Sequence, residues 1–264
     1  MIERGVDFSA GIPSLATRTA WRDAANIKFA IVQYDAPQEM QAQMQAVVDG
    51  GFELEAYVYL YNGLSPWGQT PADRVRAALS YIDGFPCTRL WLDFEDDRPN
   101  AGPVQPQQVR EAIGECDLVG MPTGIYTRRF YWRDMAGNTP EFSYLPLWDA
   151  AYKASAPIPL WHLEPQDMSG FIPYGGWNRA LIHQWHNTTN LDGIGVDLNV
   201  REAPVIVVPE PAPLPDFVSH DVEALANLLR ELGNNGTKRV RWNNGVEFTD
   251  DRGRPLDPPV YLPV

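Results

Sequence analysis

Between residues 5 and 198 the chain alternates β-prone apolar runs with stretches that carry helix signals. This alternation restricts the fold more than any other feature of the sequence. The β-prone runs fall at residues 5–9, 27–34, 54–61, 89–94, 123–126, 145–150, 180–185 and 194–198. Helix signals lie between the early ones, at residues 14–26, 39–48, 70–82 and 104–118. The clearest start is Thr70-Pro71-Ala72-Asp73, with a capping Thr, Pro at the first position and an acid in the first turn. Strand–helix alternation predicts a parallel sheet, and eight strands predict its closure into a barrel. After Tyr126 the helix signals thin, and residues 128–180 are rich in aromatics, Pro and Gly. The expected class is therefore α/β: an irregular TIM-like (β/α) barrel with helices thinning in the second half, plus a small C-terminal α+β appendage.

The appendage follows from a break in composition. Pro204, Pro209, Pro211, Pro213 and Pro215 mark a stiff, extended linker. Beyond it, Val222, Leu225, Leu228, Leu229 and Leu232 line one side of a predicted helix over 219–232, stopped by Gly233. Asn244-Gly245 between β-prone flanks predicts a hairpin over 240–248. The expected division is a barrel over 1–202, a Pro-rich linker over 203–216 and a helix-plus-hairpin appendage over 217–264. So short a tail holds too little core to be stable alone. It is expected to pack on the barrel or on another copy of the chain, which makes self-association one of its expected uses.

Charge and residue usage narrow the partners. A net charge of −13 and a pI of about 4.7 disfavour nucleic acid, whose phosphates call for clustered Lys and Arg. No apolar run approaches the roughly 18 residues of a membrane span. The N-terminus lacks a basic region followed by an apolar core, so no secretory signal is expected. Cys87 and Cys116 carry no CxxC pattern and are expected as buried free thiols, with an isolated disulfide as the alternative. The four His (His162, His183, His186 and His220) form no HExxH pattern, so neither a metal nor another cofactor is expected.

Candidate chemistry concentrates in Leu90-Trp91-Leu92-Asp93-Phe94-Glu95-Asp96-Asp97, a buried strand that ends in acids. Side chains alternate along a strand, so Asp93 and Glu95 share one face. Two carboxylates so placed raise each other's pKa, and one is expected to hold its proton at neutral pH. Such a pair suits general acid/base work on a glycosidic or phosphate bond. The plain alternative is that the acids mark where the strand meets solvent, and Asp96 and Asp97 are expected to do only that. Barrel enzymes carry their reactive groups at the C-terminal ends of strands. Asp7, Asp93, Glu95 and Asp197 are all expected there, and closure brings the strand of Asp197 beside that of Asp7. Tyr59, Tyr61, Tyr126, Trp148 and Trp185 are candidates for stacking on sugar faces and equally for the barrel core. Trp67, in the loop Ser65-Pro66-Trp67-Gly68, is expected to line a groove.

In order along the chain, these segments resemble glycoside hydrolase family 25, the Chalaropsis-type lysozymes. Gly5-Val6-Asp7-Phe8-Ser9 resembles the family's opening motif, and Asp93-Phe94-Glu95 its Asp-x-Glu motif on the fourth strand. Gly124-Ile125-Tyr126-Thr127 with Tyr131-Trp132, and Leu145-Pro146-Leu147-Trp148-Asp149-Ala150-Ala151-Tyr152, are similar to later segments. His183-Gln184-Trp185 and Val196-Asp197-Leu198-Asn199 resemble the closing strands and add Gln184 to the expected groove. The resemblance implies cleavage of the β-1,4 bond between N-acetylmuramic acid and N-acetylglucosamine in peptidoglycan glycan strands. It implies that Glu95 protonates the leaving oxygen and that Asp93 orients the substrate's N-acetyl group as that group attacks the anomeric carbon, a substrate-assisted route. Asp7 and Asp197 would flank the pair. Gln33-Tyr34 and Tyr57-Val58-Tyr59 stand where many relatives carry a basic residue and a His. Ala10-Gly11-Ile12-Pro13 lacks the polar and His residues often found in that loop. These departures touch the groove and not the acids.

A wall hydrolase without an export signal is expected to act outside the cell or on a virion, released through a membrane pore or carried by virion assembly. Two other functions remain open to the sequence. One is a barrel that binds wall glycan with little or no catalysis. The other is a metal-dependent phosphodiester hydrolase, because clustered carboxylates also bind Mg²⁺ or Ca²⁺.

Overall fold

Eight strands close into a barrel in sequence order: β1 (Ile2–Phe8), β2 (Ile27–Tyr34), β3 (Glu53–Tyr59), β4 (Cys87–Asp93), β5 (Thr123–Thr127), β6 (Leu147–Ala154), β7 (Ile182–Leu191) and β8 (Ile194–Glu202). The computed structural model describes residues 2–35, 37–95, 105–154, 168, 171–203, 239–242 and 246–249. Four helices separate the first five strands: α1 (Leu15–Asp23), α2 (Pro37–Asp49), α3 (Pro71–Ile82) and α4 (Pro106–Val119). A fifth, α5 (Arg129–Met135), is 7 residues long and follows β5. The expected thinning of helices is what the described residues show.

Local chemistry explains the helix starts. Ser14 caps α1 by accepting from the Thr17 amide. Thr70 and Asp73 form a reciprocal capping box at α3, with Pro71 in the first turn. α4 stops at Gly120, whose φ of +70° suits a residue without Cβ.

Pairing is parallel from β1 through β7, but β8 runs antiparallel to both β7 and β1. This corrects the expectation of an all-parallel barrel. The cause is the connection between β7 and β8: Asp192 and Gly193 have φ of +53° and +90° and join Leu191 directly to Ile194. Two residues with positive φ make a tight hairpin, and so short a loop cannot return a strand in parallel. α1 supports this hairpin, for Thr17 Oγ1 donates to the Asp192 carbonyl at 3.1 Å and Trp21 Nε1 to the Leu191 carbonyl at 3.4 Å.

The barrel wall separates two cores. Outside it, Val32, Val58, Leu90, Leu92 and Ile125 pack with Trp21, Met44, Val75, Ala78 and Val109 of the helices. Inside it, Phe29, Ile31, Trp91, Tyr126, Trp148, Ala150 and Ile182 fill the lumen. Two glycines make room for the largest of these. A Cβ on Gly5 would lie 2.3 Å from the Phe29 ring, and one on Gly124 2.3 Å from the Trp91 ring, each across a register pair. Arg201 fills the lumen near the strand ends opposite the mouth, pairing with Glu3, Glu53 and Glu55 and lying 4.3 Å from the centre of the Phe29 ring. Glu55 also accepts from the Trp91 indole, so a buried cation and its acids are mutually satisfied.

Cys87 and Cys116 are free, with burial pushing their thiols up to about 12 and about 11. Among the described residues no helix is long and apolar enough to cross a membrane. The chain divides into two compact units, Met1–Pro204 and Val205–Val264. In the second, β9 (Arg239–Trp242) and β10 (Val246–Thr249) pair antiparallel, as the hairpin signal implies. Asn244-Gly245 itself, the predicted helix over 219–232 and residues 204–216 of the linker lie outside the described residues.

Candidate active site

Closure of β8 on β1 puts Asp197 directly opposite Asp7 in the antiparallel register. Asp197 therefore reaches the mouth from the early part of an antiparallel strand, not from a C-terminal strand end as the sequence suggested. Gln184 of β7 ties the two together. Its Nε2 donates to Asp7 Oδ2 at 2.9 Å and to Asp197 Oδ2 at 3.0 Å. Its Oε1 accepts from the hydroxyls of Tyr126 at 2.8 Å and Tyr152 at 3.0 Å. All four hydrogen-bonding positions of the amide are thus filled, which fixes its orientation. Asn199 Nδ2 gives Asp7 Oδ2 a second donor at 2.7 Å, and Asn199 Oδ1 accepts from the Trp148 indole at 2.8 Å.

Asp93 closes β4, and Phe94 continues the pairing: its amide donates to the Tyr126 carbonyl at 2.9 Å, and its carbonyl accepts from Thr127 Oγ1 at 2.7 Å. Phe94 points outward against Trp132, with ring centres 6.3 Å apart. Asp93 and Glu95 accordingly share the inner face. Asp93 is buried, and its Oδ1 has no hydrogen-bond partner among the described residues. The Glu95 side chain keeps 24% of its surface exposed and lies 3.7 Å from Nη2 of Arg128.

Crowding of carboxylates inside the wall sets their proton affinities. Burial pushes Asp93 well above the usual carboxylate range, and Glu95 and Asp7 add to the shift while Arg128 opposes it. Burial and the neighbouring Asp197 likewise raise Asp7, although its donors Asn199 and Gln184 pull the other way. Tyr57 stands among all four acids. Burial and the charges of Asp7, Asp93, Asp197 and Glu95 keep its phenol neutral well beyond the usual range. Its ring meets Trp148 edge-on at 5.9 Å. Asp7, Tyr57 and Asp197 line a cleft of about 250 Å³ with Phe8, Ser9, Ala10, Gly195 and Val196. A larger hollow of about 510 Å³ lies between α3 and α4, where no such convergence of acids occurs.

The aromatic candidates divide by layer. Trp67 is 64% exposed on the β3–α3 loop, with Tyr61 6.1 Å away and Tyr59 a further 4.8 Å from Tyr61. Ser65 Oγ shapes that loop by accepting from the amides of Trp67 and Gln69 at 3.2 and 3.1 Å. Buried Arg74 lies beneath the platform, 5.2 Å from the Tyr61 ring and 5.5 Å from that of Trp67. Tyr126, Trp148 and Trp185, candidates for stacking and equally for the core, lie in the core, and Gln184 is enclosed with them. Trp148 and Tyr126 are buried in the lumen with their polar atoms committed to Asn199 and Gln184, so they form the floor and offer no stacking face. Gln184 is buried, with every hydrogen-bonding position of its amide taken by Asp7, Asp197, Tyr126 and Tyr152. Trp185 points to the outer core, because the residue after an inward Gln184 must face outward. Sequence reasoning placed Tyr57 only at a groove position and missed Arg128 and Tyr152 as residues of the mouth. Asp96 and Asp97 lie outside the described residues. Among the described residues, no group of three or more His, Cys, Asp or Glu is arranged to hold a metal ion.

The sequence pattern of the family described as lysozyme-like protein 1 matches residues 3–185, most of the barrel. The chain belongs to the GH25 lysozyme family. It is 26% identical over 204 residues to a probable GH family 25 lysozyme of Dictyostelium discoideum, covering 74% of this chain and 40% of that relative. Across three curated relatives the chain spans 40% to 66% of their lengths. The barrel is similar to the solved GH25 lysozyme from Aspergillus fumigatus, with a TM-score of 0.57, 19% identity, and coverage of 78% of this chain and 96% of that one. It is also similar to the autolysin LytC of Streptococcus pneumoniae, solved in complex with a synthetic peptidoglycan ligand. There the TM-score is 0.55 and the identity 14%, over 76% of this chain and 47% of that one.

Proposed function

We propose that this GH25 chain is a muramidase that cleaves the β-1,4 bond between N-acetylmuramic acid and N-acetylglucosamine in peptidoglycan. The carrying observation is the convergence on one mouth of Asp93 and Glu95, from the end of β4, with Asp7 and Asp197 tied together by Gln184. The ligand seen with LytC supports the substrate class.

In the proposed route Glu95 donates a proton to the leaving oxygen, and the substrate's own acetamide oxygen attacks the anomeric carbon. Asp93 receives the acetamide N–H on its unpartnered Oδ1 and steadies the positive charge that develops there. An N–H donated to Asp93 favours its ionised form. A negative charge on Asp93 in turn favours the proton on the neighbouring acid, where the leaving group needs it. Gln184 and Asn199 hold Asp7 and Asp197 in fixed positions beside the developing charge. Trp67, with Tyr61 and Tyr59, supplies a stacking surface for a sugar on the rim. Action on the cell wall, from outside the cell or as part of a virion, follows from the same substrate.

Glu95→Gln tests this assignment. Clearing of purified peptidoglycan should fall by at least the 10²–10⁴-fold typical of a lost general acid, with an unchanged circular-dichroism spectrum. A variant that clears walls as fast as the parent overturns the role of Glu95. A parent that binds wall glycan without releasing products would instead favour the binding barrel.

A further inference from the structure

Arg128 stands at the end of β5, and its guanidinium lies between two tyrosine rings. Its Cζ is 4.5 Å from the centre of the Tyr131 ring and 5.3 Å from that of Tyr152. This packing holds the flat cation in place beside Glu95. The 3.7 Å separation from Glu95 is a charge contact, too long for a hydrogen bond. Arg128 Nε is buried and has no hydrogen-bond partner among the described residues. Arg74, in the first turn of α3, differs: its Nε donates to the Tyr59 carbonyl at 2.9 Å and its Nη2 to that of Tyr34 at 3.4 Å. Arg74 supports backbone; Arg128 lies beside Glu95 with a third of its side-chain surface exposed.

We infer that Arg128 is a specificity-determining residue that pairs with a carboxylate carried by the substrate next to the scissile bond. The inference rests on the muramidase reading for the identity of that substrate. The chain carries a net charge of −13, which disfavours anionic ligands in general. A glycan with a carboxylate near the reacting ring needs a fixed cation there, and a guanidinium fork fits a carboxylate's two oxygens. Two sources carry that group: the lactyl ether of muramic acid when no peptide is attached, and acidic residues of an attached peptide.

The test compares wild type, Arg128→Gln and Arg128→Lys. Dissociation constants and kcat/KM are measured on muramic-acid glycans with a free lactyl carboxylate, on the same glycans capped as methyl amides, and on peptide-bearing strands with free or amidated acids. Wild type should prefer the free carboxylate over its amide by about tenfold, equivalent to about 1.4 kcal/mol. The preference should vanish in Arg128→Gln and partly return in Arg128→Lys. A preference confined to the peptide-bearing pair assigns the carboxylate to the peptide. An Arg128 that acts only through Glu95 would change both members of each pair by the same factor and move the pH profile. That result, or equal binding of both members by wild type, overturns the inference. If wild type cleaves none of them yet binds the carboxylate form more tightly, and Arg128→Gln loses that preference, the inference stands and the muramidase reading falls.

Discussion

Gln184→Leu tests the architecture of the mouth more severely than removal of any single acid. The leucine keeps the bulk of the side chain but deletes all four hydrogen bonds of the amide. Tyr126 is buried, so its hydroxyl is left without an acceptor, at about 1–3 kcal/mol. Asp7 keeps Asn199 but loses its other donor, at about 1 kcal/mol more. Tyr152 and Asp197 are only half-buried and can turn to water, adding little. The sum is roughly 2–4 kcal/mol, or roughly 4–16 °C in melting temperature for a unit of this size. Loss of the Gln184 donor also raises the proton affinity of Asp7 further, because that hydrogen bond opposes the existing shift. Thermal unfolding at pH 7, with wall clearing measured across pH, should show both a lower melting temperature and reduced activity. A Gln184→Leu variant that melts and clears walls like the parent would refute the claim that this amide organises the acids.

Asp93→Asn should stabilise the fold at neutral pH while abolishing activity. The folded chain holds the Asp93 proton after the unfolded chain has released it, so wild-type stability falls as pH rises from about 4 through the elevated range. The gain in denaturant midpoint should therefore be present at pH 7 and vanish near pH 4, and a gain independent of pH contradicts the cause assigned to the shift. Trp67→Ala should raise KM several-fold with kcat nearly unchanged, because the exposed ring binds sugar away from the reacting atoms. Steady-state kinetics on a soluble glycan oligomer decide this, and a fall in kcat at constant KM would place Trp67 in the chemistry.

Much of this site can be read in the sequence, for identifiable reasons. Asp93 and Glu95 stand out because acids at the end of an apolar strand are chemically costly, and Asp7 and Asp197 follow once closure is accepted. The direction of β8 was also legible. Asp192-Gly193 between β-prone residues is a two-residue hairpin signal, and the alternation of strands with helices obscured it. Trp148 and Trp185 were less accessible to sequence reasoning. Barrel strands are buried on both faces, so their apolar residues do not alternate with polar ones and the inward side cannot be told from the outward. Tyr57, Tyr152 and Arg128 lie on three different strands or their ends, and only the closed barrel shows that their side chains meet. Arg128 in particular follows a β-strand with no local pattern to mark it.

The central claim is the bond that is cut, and the products report it directly. Purified peptidoglycan digested with this chain and reduced with borohydride should release soluble fragments whose new reducing ends, read by mass spectrometry, are reduced muramic acid. Reduced glucosamine at those ends, or no soluble fragments at all, would contradict the account.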